Sequence, residues 1–152
     1  MRKSVFEGIV IKAFSDLETN YGFKKTETKY IDRSVIVQFK NTTTEVVLNY
    51  ELGETPWLTI TDLQNPENKS TLGWLLVERG VDQAPTPAQA FKPRNLENDQ
   101  LEPTLQKMVK QLIEYGADLL NGNFAMIPDL QKRAKKYDSE CKRYLSIHQS
   151  KS

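Results

Sequence analysis

The chain has 152 residues, 38% of them hydrophobic and 27% charged, with a net charge of +1. This length fits one domain, 1–152, with core enough to fold without disulfides or metal, and this composition excludes a disordered chain. The near-neutral total excludes a global pull toward nucleic acid or anionic membrane, and the single cysteine, Cys141, excludes an intrachain disulfide.

The chain opens Met1-Arg2-Lys3, which suits a signal peptide, but Glu7 and Lys12 interrupt the apolar run that should follow. No stretch approaches the ~18 apolar residues of a membrane span. The expectation is a cytoplasmic protein. Ser4 and Glu7 have the spacing of a capping box, and Val5, Phe6, Ile9, Val10, Ala13, Phe14, Leu17 and Tyr21 follow at helical spacing. These predict one helix from about Ser4 to Asn20, stopped by Gly22.

The period then changes to two. Lys24–Ile31 reads as an edge-like strand, followed by a turn at Asp32-Arg33. Val35, Val37 and Phe39 alternate in the next strand, and Val46, Leu48 and Tyr50 in the one after Asn41-Thr42. A turn at Gly53-Glu54-Thr55-Pro56 leads to a short strand at Trp57–Thr61. Short strands with short polar turns predict an antiparallel meander of three to four strands, covered on one face by the N-terminal helix.

Ser70 or Thr71 caps a short helix bearing Leu72, Leu75 and Leu76, closed by Gly80. If those leucines face inward, Trp74 points sideways, toward the segment that follows. That segment, "DQAPTPAQAFKPRNLEND" over 82–99, reads as a long extended connection, which in a compact domain is functional or a mobile linker. A long helix from about Leu101 to Leu120 has Pro103 in its first turn. In "LLNGNFAMIPDL" the Asn-Gly pair has helical periods on both sides. It therefore predicts an αα corner, with Gly122 as stop, Asn123 as a turn cap and Pro128 as restart. The last helix carries Ile127, Leu130, Ala134, Tyr137, Cys141, Tyr144 and Leu145 on one face, with a frayed tail at 147–152. The fold class is α+β, with two C-terminal antiparallel helices packed on one sheet face.

Catalytic signatures are sparse. His148, the sole histidine, lies near the end of the chain, where a Ser-His or Cys-His pair is hard to hold. Cys141 falls on an apolar stripe, the place of an inert buried thiol. One histidine and one cysteine do not build a usual zinc site, and the phosphate-binding glycine motifs are missing. No catalytic residue, metal or cofactor is expected. Two alternatives stay open: a small hydrolase or transferase using sheet carboxylates, and a nucleic-acid adaptor using the basic last helix. Asp129, Asp138 and Glu140 interrupt that basic helix and make a solvated face the better reading.

Charge is unevenly spread. Residues 1–40 carry +3, 41–102 carry −6, 103–127 are neutral and 128–152 carry +4. An acidic middle suits a partner surface that meets a basic protein and steers its approach. The candidate contact residues are Glu45, Glu51, Glu54, Asp62, Glu67 and Trp74, together with the proline-rich connection. An exposed apolar patch would serve a homodimer as readily as a foreign partner.

The run Tyr115-x3-Leu119-Leu120-x-Gly122-x-Phe124-x2-Ile127-Pro128-x-Leu130 resembles the tail of small bacterial α+β proteins similar to immunity proteins of polymorphic-toxin systems. Asn123 stands where Asp is common in that pattern. The motif spans fewer than twenty residues, although the element order matches along most of the chain. The resemblance implies a bacterial, cytoplasmic, non-enzymatic protein that binds and blocks a toxin.

Overall fold

The computed structural model describes residues 1–90 and 95–149. Two helices, α1 (Lys3–Ala13) and α2 (Ser15–Tyr21), lead into strands β1 (Lys24–Ile31), β2 (Ser34–Lys40), β3 (Thr44–Glu51), β4 (Trp57–Asp62) and β5 (Lys69–Thr71). Then come α3 (Leu72–Glu78), a short α4 (Pro87–Ala90), a single 3-10 turn at Asn98–Gln100, α5 (Leu101–Leu120) and α6 (Ile127–Gln149). The fold is α+β, as the periodicities predict. All strand pairs are antiparallel, in the order β1-β2-β3-β4-β5. Among the described residues no helix is long and apolar enough to cross a membrane.

Strand alternation decides which face is covered. Thr44, Val46, Leu48 and Tyr50 of β3 are buried, and pairing in register brings Val37 and Phe39 of β2 and Leu58 and Ile60 of β4 to the same side. Against this side lie Phe6 and Val10 of α1, Leu72, Leu75 and Leu76 of α3, and Leu101, Leu105, Val109, Leu112 and Leu119 of α5. Phe14 and Phe39 stack with ring centroids 4.5 Å apart. The opposite face carries Ile36, Gln38, Glu45, Val47, Asn49 and Glu51. These side chains are only half-buried, and no described element crosses them.

Several local expectations change. The predicted first helix is two, because Phe14 leaves helical geometry (φ −95°, ψ 4°). Ser4 is not the cap: the N-cap is Arg2, which makes no side-chain capping bond. Glu7 turns outward instead and accepts a 2.9 Å hydrogen bond from the Tyr30 hydroxyl. Lys3 lies 4.5 Å from the centre of the same ring, so α1 is tied to the edge strand. A fifth strand joins the meander at Lys69–Thr71, three residues that alternation alone does not reveal. Thr71 is the cap of α3, accepting from the Trp74 amide at 3.4 Å.

The connection at 82–99 is less featureless than expected, although its residues 91–94 lie outside the described ones. The Thr86 amide donates to Gln89 Oε1 at 2.8 Å and the Gln89 amide donates to Thr86 Oγ1 at 3.3 Å. This reciprocal capping box starts α4. The αα corner forms as predicted, with Gly122 at φ +91° and the Asn123 side chain accepting from the Ala125 amide at 3.1 Å. After it, α6 packs on α3, α4 and β5, while α5 packs on α1, α2 and α3. Helix α6 runs through Gln149, beyond the expected onset of fraying at 147, and 150–152 lie outside the described residues.

The corner is locked from the turn between β2 and β3. Asn41 Nδ2 donates to the carbonyls of Tyr21 and Leu120, both at 3.0 Å, and its Oδ1 accepts from the amides of Thr43 and Thr44. Buried Thr44 donates to the Leu119 carbonyl at 2.8 Å. One turn thus satisfies the orphan carbonyls at the ends of two helices. A side chain on Gly122 would meet Thr43 at 3.0 Å, so positive φ and close approach both favour glycine there.

Candidate functional site

A groove of about 770 Å³ opens where the start of β4, the start of α3, the connection after α3 and the middle of α6 converge. Its walls include Trp57, Trp74, Tyr137, Pro56, Pro85 and Val77, with Glu54 and Asp82 among the lining residues. This volume falls within the ~300–1,000 Å³ of ordinary ligand clefts, and a mainly apolar lining with a few polar groups is their usual chemistry.

Local sequence holds each wall. The turn before β4 needs Gly53 at φ +85°. The Glu54 amide donates to the Glu51 carbonyl at 2.9 Å, and the Leu96 amide donates to the Gly53 carbonyl at 2.8 Å. Glu54 and Asn95 also form an isolated bridge, so the returning chain braces this rim. On the other side, Gly80 at φ +75° ends α3. The amides of Val81 and Asp82 both donate to the Leu76 carbonyl, at 2.9 and 3.2 Å. Asp82 therefore projects from a backbone fixed by the helix cap.

Trp57 is 47% exposed. Trp74 is half-buried and packs edge-on against Tyr137, with ring centroids 5.3 Å apart and planes at 66°. Glu54 and Asp82 are exposed. The ion pairs found among the described residues use other acids: Glu102, Glu27, Glu45, Asp118 and Glu78. No described lysine or arginine lines the groove.

The predicted contact set divides. Glu54 and Trp74 lie together in the groove. Glu51 and Glu45 stand at opposite ends of β3 on the open sheet face, roughly 20 Å apart at strand rise. Glu45 pairs with Lys40 at 3.6 Å. Asp62 takes the other face by register, and its Oδ1 accepts from the Gln64 amide at 2.9 Å. Glu67 sits in an exposed loop, where its carbonyl accepts from Gln131 at 2.8 Å. The sheet carboxylates are thus spread over two faces and both ends rather than brought together. Asp82 opens the proline-rich connection already in the predicted contact set, whereas Trp57 and Tyr137 are not in it. Trp57 and Tyr137 are 80 positions apart, and only the docking of α6 beside α3 joins them.

A shallower depression at Arg79, Glu114, Tyr115, Ala117 and Asp118 has a structural explanation. Helix α5 kinks at buried Gly116 (φ −120°, ψ 20°), where a Cβ would come within 2.9 Å of Leu75. Arg79 donates to the Tyr115 carbonyl at 3.2 Å, pairs with Asp118 at 3.1 Å and reaches the Met126 sulfur at 3.5 Å. Its guanidinium staples the kink to the corner.

On α6, Lys132, Lys135, Lys136, Lys142 and Arg143 are exposed, interleaved with exposed Asp129, Asp138 and Glu140. Arg133 pairs with Glu78 of α3. Cys141 is half-buried and His148 is exposed, its ring 4.0 Å from that of Tyr144. Among the described residues no cluster of three or more His, Cys, Asp or Glu is placed to hold a metal ion. The Tyr30 phenol is raised above its ordinary value, first by burial and then by the hydrogen bond and negative charge of Glu7. No family model, curated protein or solved structure matches the chain.

Proposed function

We propose that the chain is a non-enzymatic protein-binding module that takes a basic partner at the groove and against the sheet face beside it. The observation that supports this is the pairing of an exposed tryptophan, Trp57, and a half-buried one, Trp74, with two carboxylates, Glu54 and Asp82, left without a cationic partner among the described residues. Tryptophan is enriched at binding hot spots, because its rigid surface loses little entropy on burial. Unmatched acidic groups at a rim attract a cationic partner and raise its association rate. Glu51 lies three positions before Glu54, so the acidic field continues from the groove onto the open face.

In its most concrete form the partner is the basic domain of a bacterial toxin, and binding covers the toxin's active site. The acidic stretch 41–102 and the pattern around Leu119–Leu130 both favour this form. On this reading the protein acts in the cytoplasm. The test is co-expression with the product of the adjacent gene. A complex is expected whose affinity falls steeply with salt, and falls at least about tenfold further when Glu51→Lys, Glu54→Lys and Asp82→Lys are combined. A complex indifferent to both changes contradicts this surface.

A further inference from the structure

We infer that the groove takes an arginine side chain presented on a segment of the partner, its guanidinium meeting the indoles of Trp57 and Trp74 and its charge met by Glu54 and Asp82. This rests on the protein-binding reading above and names the chemistry of what is bound.

Three features select the cation. The groove offers aromatic faces together with carboxylates, a combination that suits a positive charge carried on an apolar or planar body. An anion would meet Glu54 and Asp82 with no described cation beside them, and a purely apolar ligand would strip water from them without replacing it. Guanidinium is planar and weakly hydrated and donates in a fork that fits carboxylates, whereas the lysine ammonium is a compact, strongly hydrated charge. The backbone that carries Glu54 and Asp82 is already hydrogen-bonded, so the ordering left for the binding step is that of the two side chains.

One feature selects a segment of chain over a free cation. At about 770 Å³ the groove exceeds what one guanidinium or one small quaternary ammonium fills. Past Thr71, which pairs with Thr59, the chain turns into α3, which packs on β4 and leaves Leu58 fully buried, so the ligand enters the groove without adding a strand to the sheet.

The probe is a capped glycine–serine peptide with one central arginine, titrated while tryptophan fluorescence is followed. Matched peptides carry citrulline, lysine or trimethyl-lysine in the same place, and free arginine is a further arm. Saturable binding is expected for the arginine peptide, at least about tenfold tighter than for citrulline, with affinity falling as salt rises. Trp57→Ala and the double change Glu54→Gln with Asp82→Asn should each weaken it about tenfold or more, with the urea midpoint of each variant unchanged. Equal binding of the citrulline peptide, or no saturable binding below about 10 mM, overturns the inference. Tighter binding of trimethyl-lysine makes the site one for quaternary ammonium and also overturns it, and free arginine binding as tightly as the peptide removes the partner segment. If the arginine peptide fails while Glu54→Lys and Asp82→Lys still weaken the partner complex, the guanidinium inference is wrong and the protein-binding reading stands. If the peptide binds but no salt-dependent complex forms, that reading alone fails.

Discussion

The junction at Asn41 and the groove at Trp57 are both built from segments far apart in sequence, yet they treat polar groups in opposite ways. At the junction, the Asn41 side chain makes five hydrogen bonds and Thr44 adds one to the Leu119 carbonyl, and helix-end carbonyls find donors. At the groove, Glu54 and Asp82 are held firmly through their backbones while their carboxylates meet no described cation. Groups that are matched hold the fold together. On our proposal, carboxylates that stand on a fixed backbone and meet no described cation, beside an exposed tryptophan, are the ones that meet a partner. Substitutions at the two regions should therefore separate stability from binding.

The largest effect is expected from Asn41→Ala. It removes five hydrogen bonds, among them those to two helix-end carbonyls and from two amides, at a cost of about 2–4 kcal/mol. A fall in the urea midpoint of that order checks it; a midpoint within error of the parent would break the comparison. Thr44→Val keeps the shape but removes one of the two donors to the Leu119 carbonyl, which retains the Gly122 amide, so a loss of about 0.5–1.5 kcal/mol is expected in the same measurement. Trp57→Ala should change stability by no more than about 0.5 kcal/mol, because the side chain is 47% exposed. A loss several times larger would make Trp57 part of the core rather than of a binding surface.

The smallest effect concerns the Tyr30 tie to α1. Its phenol is raised above the ordinary 10.0 in the folded protein, so folding favours the protonated form. That contribution is complete below the ordinary value and is lost as pH rises through the raised one. Phenolate absorbance should show a component titrating above 10.0 that Tyr30→Phe removes. An unchanged titration curve in the variant would contradict the Glu7–Tyr30 contact.

Much of the fold is legible in the residues. The stripe Leu101, Leu105, Val109, Leu112 and Leu119 is helical in spacing and buried in fact. Gly22, Gly80 and Gly122 all take positive φ at helix ends, where glycine meets no Cβ penalty. The meander follows from period-two alternation in β2 and β3. What escaped is what depends on distant partners. The Ser4–Glu7 spacing suggests a capping box, but Glu7 finds the Tyr30 hydroxyl from 23 residues away. Asn41 looks like an ordinary turn residue, and its role depends on Leu120, 79 positions on. A three-residue strand such as β5 has too few positions for alternation to show.

The site was half legible for the same reason. Trp74 could be aimed at the proline-rich connection because its helix period was clear, and it does line the groove with Asp82, Pro85 and Ala90. Charge alone groups Glu54 with Glu45, Glu51, Asp62 and Glu67. Strand register then sent Asp62 to one face and Glu45 and Glu51 to the other. Charge counts along a sequence do not carry face information; alternation does, once the register is known.

The most direct test is a titration of isotope-labelled protein with the arginine peptide, followed by nuclear magnetic resonance. The chain has two tryptophans, Trp57 and Trp74, hence two indole N–H signals, each assigned by its alanine variant. Both indole signals should move saturably with peptide, while the Asn41 side-chain amide, held by the helix-end carbonyls, stays in place. Still indole signals, or shifts centred on Asn41 and the end of α5, would contradict the claim that the groove is where this protein meets its partner.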